Sequence, residues 1–120
     1  DDDIMGIDAL ELAVSERTWR VHISRSSGKE MLKVSYYGDL AQKPVTEYFP
    51  VTHDGFAGNK ARSSVITIAQ EAGATLGETL EEAAAGLNNG TPPMSIAYKM
   101  DGKFHRVLKR SWNDERHAAA

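Results

Sequence analysis

The chain has 120 residues, a length that suits one domain with a single hydrophobic core. Its hydrophobic share of 41% and charged share of 26% are those of an ordinary globular protein, and no apolar run is long enough to span a membrane. The absence of cysteine excludes disulfides and thiolate metal sites and fits a reducing compartment. Because the chain opens on Asp1–Asp3 and not on a basic and then apolar signal segment, we expect a cytoplasmic location.

The start of the chain is acidic, and the strand pattern begins after it. Residues 1–16 hold six acidic side chains and no Lys or Arg, and the apolar spacing there fits a short helix or an extended arm. We therefore expect an acidic leader or linker over residues 1–17, one folded domain over residues 18–112 and a tail over residues 113–120. The chain lacks an initiating Met and closes on three alanines, so we interpret it as a piece of a longer protein.

The first half of the domain alternates between apolar and polar residues, which is typical of half-buried strands. Trp19, Val21 and Ile23 alternate with polar neighbours, and a turn over residues 26–29 leads into a second alternating run that stops at Gly38-Asp39. A third strand is predicted over residues 45–51, where Pro50 indicates a sheet edge or a bulge.

The second half begins with helical spacing. Gly55 and Gly58 break the strand pattern, and the helix that follows is predicted to stop at Gly73. A second helix is predicted over residues 75–87, because Thr75 and Glu78 have the spacing of a capping box. Two alternating runs around Asp101-Gly102 then predict a hairpin over residues 94–112.

The predicted order is β-β-β-α-α-β-β, an α+β fold with five short antiparallel strands and two helices after the third strand. An OB-type barrel and an α+β sandwich with both helices on one face fit this order equally well.

Motifs for common chemistries are missing from the sequence. It has no GxxxxGK[ST] or GxGxxG phosphate loop, no GxSxG elbow and no HExxH, and its four histidines are scattered. We therefore predict no catalytic residues, no cofactor and no metal site. His53-Asp54-Gly55 is interpreted as turn chemistry in preference to a general base. Glu47 lies in an apolar strand, so it needs a partner such as Arg20 or Lys33.

Basic and aromatic side chains predict the binding surface. Cations that follow phosphates and rings that stack on bases are what a single-stranded nucleic acid requires. In an OB arrangement the turns at residues 26–29 and 99–103 border the same groove, and Lys99, Lys103, His105 and Lys109 are expected to share the outer face of the last hairpin. The alternative is a solvated sheet face without a ligand. The predicted nucleic-acid-binding residues are Arg20, His22, Lys29, Lys33, Tyr37, Lys99, Lys103, His105 and Lys109.

One resemblance to a known family covers about residues 19–112. The segments WRV, GK, LKVSYY, TEY, HDGFA and KA, followed by TLEEA, PPMSI and DGKF, resemble the C-terminal region of RadD-type superfamily 2 helicases and of related phage and prophage helicases. The chain departs from that pattern at residues 62–64, where bulky aromatic residues are expected and Arg-Ser-Ser is present. The family-motif positions are Tyr36, Glu47, Tyr48, His53, Gly55, Lys60 and Ala61.

The resemblance implies an accessory domain that helps a DNA-unwinding or DNA-repair ATPase to engage DNA, without motor motifs of its own. DNA, with the single-stranded form favoured, is the first expected partner, and no membrane partner is expected. The alternative is a protein-interaction module that docks the parent helicase core or the acidic tail of a single-strand-binding protein on the same basic face.

Overall fold

The computed structural model describes residues 9–38 and 43–112. The acidic residues of the leader up to residue 8, the predicted stop at Asp39 and the predicted tail at residues 113–120 lie outside the described residues. In chain order the elements are β1 (Leu10–Ala13), β2 (Glu16–Ile23), β3 (Glu30–Tyr37), β4 (Val45–Phe49), α1 (Gly55–Ala72), α2 (Leu80–Asn89), β5 (Ser95–Asp101) and β6 (Phe104–Ser111).

The strands form two antiparallel sheets, which confirms the predicted α+β class. The first sheet has the order β1-β5-β6, and the second has the order β2-β3-β4. The described residues contain six strands where five were predicted, because Leu10–Ala13 pairs with β5 and is neither a helix nor a free arm. The predicted leader thus contributes a strand to the domain. The barrel alternative is wrong for the described residues, since β4 and β6 form no ladder with each other.

The two sheets meet at a corner between β1 and β2. The backbone N–H of Val14 donates to the carbonyl oxygen of Met94 at 2.8 Å, and the next N–H, of Ser15, donates to the carbonyl oxygen of Tyr37 at 2.8 Å. Two consecutive residues therefore bond to different sheets, and the chain passes from one sheet to the other there. On the opposite side of the fold, β4 of the second sheet faces β6 of the first.

The core lies between the second sheet, the two helices and the inner side of the first sheet. Leu32, Val34 and Tyr36 alternate along β3 on the core side, and Trp19 stacks on Phe49 with ring centroids 5.6 Å apart. Helix α1 adds its buried stripe of Ala61, Val65, Ile68, Ala69 and Ala72, and α2 adds Ala83, Ala84 and Leu87. Each fully buried Leu, Val or Ile contributes about 1.5–3 kcal/mol relative to an exposed one.

Helix α1 confirms the predicted stop at Gly73, which has a φ of 67° in the left-handed region. Gly58, by contrast, lies inside the helix and does not precede it. A Cβ at Gly58 would lie 1.7 Å from the carbonyl oxygen of His53, so the close approach of the loop requires glycine. No helix within residues 9–38 and 43–112 is long and apolar enough to cross a bilayer.

Helix α2 begins later than the sequence predicts. Its N-cap is Thr79, whose hydroxyl accepts the backbone N–H of Glu82 at 3.1 Å, while the Glu82 carboxylate accepts the backbone N–H of Thr79 at 3.0 Å. The capping box is therefore Thr79/Glu82 and not Thr75/Glu78. Gly77, with a φ of 72°, lies within the predicted Thr75/Glu78 box and turns the chain there before the helix begins.

Hydrogen bonds from polar side chains connect helix α2 to the edge strand β2. The Asn88 amide accepts the backbone N–H of Trp19 at 2.7 Å and donates to the Trp19 carbonyl oxygen at 2.9 Å. Arg17 donates to the carbonyl oxygen of Leu87 at 2.7 Å and also to that of Gly90. The Asn88 contacts satisfy backbone groups that an edge strand otherwise presents to solvent, and the Arg17 contacts satisfy carbonyl groups at the end of α2.

Candidate functional site

A cleft of about 1070 Å³ opens where β4 faces β6. Its walls come from four parts of the chain that are distant in sequence: the β2–β3 turn, β4, the first half of α1 and the start of β6. Of the two turns that were expected to border a groove in an OB arrangement, Ser26 and Lys103 line this cleft, whereas Lys29 and Lys99 do not. Its charged and aromatic lining residues are His22, Arg25, Glu47, Tyr48, Phe49, Lys60, Lys103, Phe104, His105, Arg106 and Arg110.

The cleft carries a strong excess of positive charge. Five Lys or Arg side chains line it, against a single carboxylate, that of Glu47. That carboxylate is paired with Arg110, in the only salt bridge within the part of the chain that the structure describes. The other four cations, Arg25, Lys60, Lys103 and Arg106, form no salt bridge within the described residues. A cleft lined by one sign of charge concentrates the electrostatic potential that attracts an anionic ligand.

Aromatic rings accompany these cations. Phe104 is 57% exposed and Tyr48 is 38% exposed, so both offer ring surface to a ligand. The His22 ring lies 5.2 Å from the Tyr48 ring, and the Lys103 ammonium lies 5.7 Å from the Phe104 ring centroid. Flat rings beside cations can stack on bases while the cations contact phosphates.

A buried polar cluster connects β3, β4 and β6 at the floor of the cleft. Arg110 donates from Nη2 to Glu47 and from Nε to the Tyr36 hydroxyl, the latter at 3.1 Å. Burial raises the pKa of Glu47 above its ordinary value, and the Arg110 guanidinium offsets only part of that effect. The sequence correctly predicted that Glu47 has a partner in the fold, but the partner is neither Arg20 nor Lys33.

His105 forms a second link between β6 and β4. Its Nδ1 accepts the backbone N–H of Thr46 at 3.3 Å, and its ring packs edge-on against Tyr98 with centroids 5.6 Å apart. The Thr46 N–H points away from β3, and β4 therefore presents an edge toward the cleft.

The outer face of the second sheet, which is the face opposite the helices, extends the cleft. Arg20 is paired with Lys33 across β2 and β3, and His22 is paired with Met31 on the same face. Lys33 lies opposite Tyr48, with its ammonium 5.5 Å from that ring. Tyr48 and His22 belong to both the outer face and the cleft, so the two surfaces are continuous. Tyr37 is on this face as well.

The last hairpin does not place its four predicted residues on one face. Ala97 pairs with Lys109 and Tyr98 pairs with Val107, so Leu108 is skipped in a β-bulge. His105 consequently faces inward with Val107, whereas Lys99 and Lys109 are on the opposite side of the first sheet. Lys103 lies in the turn and lines the cleft, and Lys29 is exposed in the β2–β3 turn outside it.

Most family-motif positions converge on the cleft. Glu47, Tyr48, Lys60 and Ala61 line it, and Tyr36 contacts Arg110 from below. His53 belongs to the loop before α1, and Gly55 is the first residue of that helix, with a φ of 76°.

The His53 loop is held by main-chain groups. The His53 N–H donates to the Pro50 carbonyl oxygen at 3.1 Å, and the His53 carbonyl oxygen accepts from Arg62 at 3.0 Å. His53 Nδ1 is buried without a protein partner in the described residues. Asp54 is the N-cap residue of α1, although its side chain makes no capping bond. The hydrogen bonds of this loop are those of a turn, in keeping with the interpretation from the sequence.

Five charged or aromatic residues of the cleft were not among the sequence-based candidates: Arg25, Phe49, Phe104, Arg106 and Arg110. Arg25 and Arg106 could have been selected from the sequence, because they are cations close to predicted turns. The sequence could not indicate the role of Arg110, because that role depends on its contact with Glu47, which is 63 residues away in the chain.

The described residues contain no group of three or more His, Cys, Asp or Glu side chains that could hold a metal ion. No protein-family model and no curated protein matches the chain.

Proposed function

We propose that this domain is a non-catalytic accessory module of a DNA helicase or DNA-repair ATPase, and that it binds single-stranded DNA. The observation that carries the proposal is the cleft, in which five Lys or Arg side chains accompany exposed aromatic rings. The resemblance to RadD-type helicases supports the same role, since its motif positions Glu47, Tyr48, Lys60 and Ala61 line that cleft.

The geometry favours a single strand over a duplex. Tyr48 and Phe104 offer ring faces that only unpaired bases can use, because the bases of a duplex are already stacked. The continuous outer face of the second sheet, with Arg20 and Lys33, gives the strand a path out of the cleft. In this role the domain acts in the cytoplasm, where its parent motor meets DNA.

A protein ligand is the second candidate function. Strand β4 is an edge strand of the second sheet, and the cleft beside it is cationic. An extended acidic segment, such as the tail of a single-strand-binding protein or part of the parent helicase core, could pair with such an edge.

Fluorescence anisotropy of the domain with labelled single-stranded and duplex DNA at two salt concentrations tests the proposal. We expect saturable binding that favours the single strand and weakens steeply with salt, because phosphate contacts release counterions. Absence of binding at low salt would refute it. Binding of an acidic peptide with a shallow salt dependence, in place of DNA, would favour the protein ligand.

A further inference from the structure

A second, smaller groove of about 270 Å³ adjoins the cleft along α1. Lys60, Ser64 and Arg110 line both cavities, so they mark the place where the two meet. The smaller groove also carries Glu71. Glu71 is 7 residues beyond Ser64 in the same helix, about 10 Å along the axis, so its carboxylate is farther along the groove than the three residues of the junction.

Arg110 is held in one position by its contacts, but it uses only some of its hydrogen-bond donors. A guanidinium has five N–H donors, and Arg110 uses one on the Tyr36 hydroxyl and one on the Glu47 carboxylate. The remaining three form no hydrogen bond within the described residues. Its side chain is 17% exposed and lines both cavities.

The surroundings of Arg110 suit an anion. The contacts with Tyr36 and Glu47 hold the guanidinium in one orientation, which reduces the entropy that binding would otherwise cost. Glu47 neutralises Arg110 in the absence of a ligand, and Lys60 adds a charge that no carboxylate of the described residues neutralises. The Ser64 hydroxyl supplies a further neutral donor beside these two cations.

We infer that Lys60, Ser64 and Arg110 form a phosphate subsite, which holds one backbone phosphate of the bound strand. This inference rests on the proposed function, and it names where the strand is anchored. Arg110 donates from its free N–H groups, Lys60 contributes a point charge and Ser64 donates its hydroxyl. Glu47 and Tyr36 act as positioning residues, since they orient the guanidinium without contacting the phosphate.

Two titrations followed by ¹⁵N NMR test this subsite at the Nε–H signal of Arg110, assigned from its loss in Arg110→Lys. One uses inorganic phosphate and the other a single-stranded oligonucleotide. We expect both ligands to shift the signal, and Lys60→Met and Ser64→Ala to weaken both effects. Lys43→Met, which removes the same charge before β4 and outside both cavities, is the control. The Lys60→Met variant should bind the oligonucleotide about 5-fold more weakly at 0.1 M salt, the loss of one phosphate contact.

The outcomes separate the subsite from the proposed function. If the oligonucleotide binds but neither ligand shifts the Arg110 signal and Lys60→Met binds like the control, the subsite is wrong and DNA binding stands. If phosphate shifts the signal in a Lys60-dependent manner but no oligonucleotide binds, the anion site stands and the proposed function fails.

Discussion

Two lysines that reach the cleft from different walls give the sharpest test of DNA binding. Lys60 is on α1 and Lys103 is in the β5–β6 turn, and both side chains are exposed. Replacing both with serine removes two positive charges and leaves the half-buried Arg110 untouched. Lys43→Glu is the matched control, because it changes the net charge by the same amount at an exposed position outside the cleft.

The expected size of the effect follows from counterion release. Each phosphate contact with a single strand contributes about 0.7 to the slope of log affinity against log salt concentration. Losing two contacts should therefore reduce the slope by about 1.4 and weaken binding about 25-fold at 0.1 M salt. The difference should vanish on extrapolation to about 1 M salt, where the counterion term disappears.

Anisotropy titrations with a labelled single strand at four or more salt concentrations measure this slope for the wild type, the double variant and the control. The control should keep the wild-type slope, because Lys43 contributes only to the long-range field. An unchanged slope in the double variant would refute the placement of DNA in the cleft. So would an equal loss in Lys43→Glu, since net charge alone would then explain the binding.

Three further predictions concern the cleft and the packing around it. Tyr48→Ala should weaken single-strand binding by about 1–3 kcal/mol while Tyr48→Phe retains it, because the ring stacks on a base; equal losses in both variants would contradict stacking. Asn88→Ala should lower the free energy of unfolding, measured with urea, by about 1–3 kcal/mol, because both backbone groups of Trp19 lose their partner; an unchanged midpoint would show that water replaces the amide. The raised pKa of Glu47 means that the folded state binds a proton at this carboxyl more tightly than the unfolded state does. The stability that this proton contributes is therefore present at low pH, and it is lost as pH rises through the pKa of the folded state. Urea unfolding between about pH 4 and pH 8 should then show Glu47→Gln gaining stability relative to the wild type as pH rises, and a difference that does not vary with pH would contradict this.

The parts of the fold that were predictable are those fixed by neighbouring residues. Alternation with a period of two correctly predicted β2 and β3. The helical spacing of apolar residues predicted α1, and Gly73 predicted where that helix ends. Strand β1 was missed because it has only four residues and needs β5, more than 80 positions later, to define it. For helix α2 the Thr75/Glu78 box was predicted, although Thr79 and Glu82 have the same spacing four residues later and form the box of the structure.

The choice between those boxes depends on tertiary contacts. A Cβ at Gly86 would lie 1.7 Å from the carbonyl oxygen of Thr75, so the segment at Thr75 packs directly on the helix as a loop. A helix that began at Thr75 would have to include this segment and could not fold it back against Gly86. The later box, at Thr79 and Glu82, is the one that leaves the loop free to pack.

The composition of the cleft follows from one irregularity in β6. A regular hairpin that starts from the pairs Ile96–Arg110 and Ala97–Lys109 would place Leu108 opposite Tyr98, and the inward face would then carry Arg106. By skipping Leu108, the bulge turns Val107 and His105 inward, so that the imidazole reaches the edge of β4.

The sequence contains a weak sign of this bulge, since Val107 and Leu108 are consecutive apolar residues within the strand. Such a pair is compatible with a bulge but does not reveal which residue the partner strand skips. The faces of His105 and Lys109 could therefore not be assigned without the β5 register. For this reason the candidates chosen by alternation alone grouped His105, which faces inward, with Lys99 and Lys109, which face outward. They also omitted Arg110, whose inward position is defined by its pairing with Ile96.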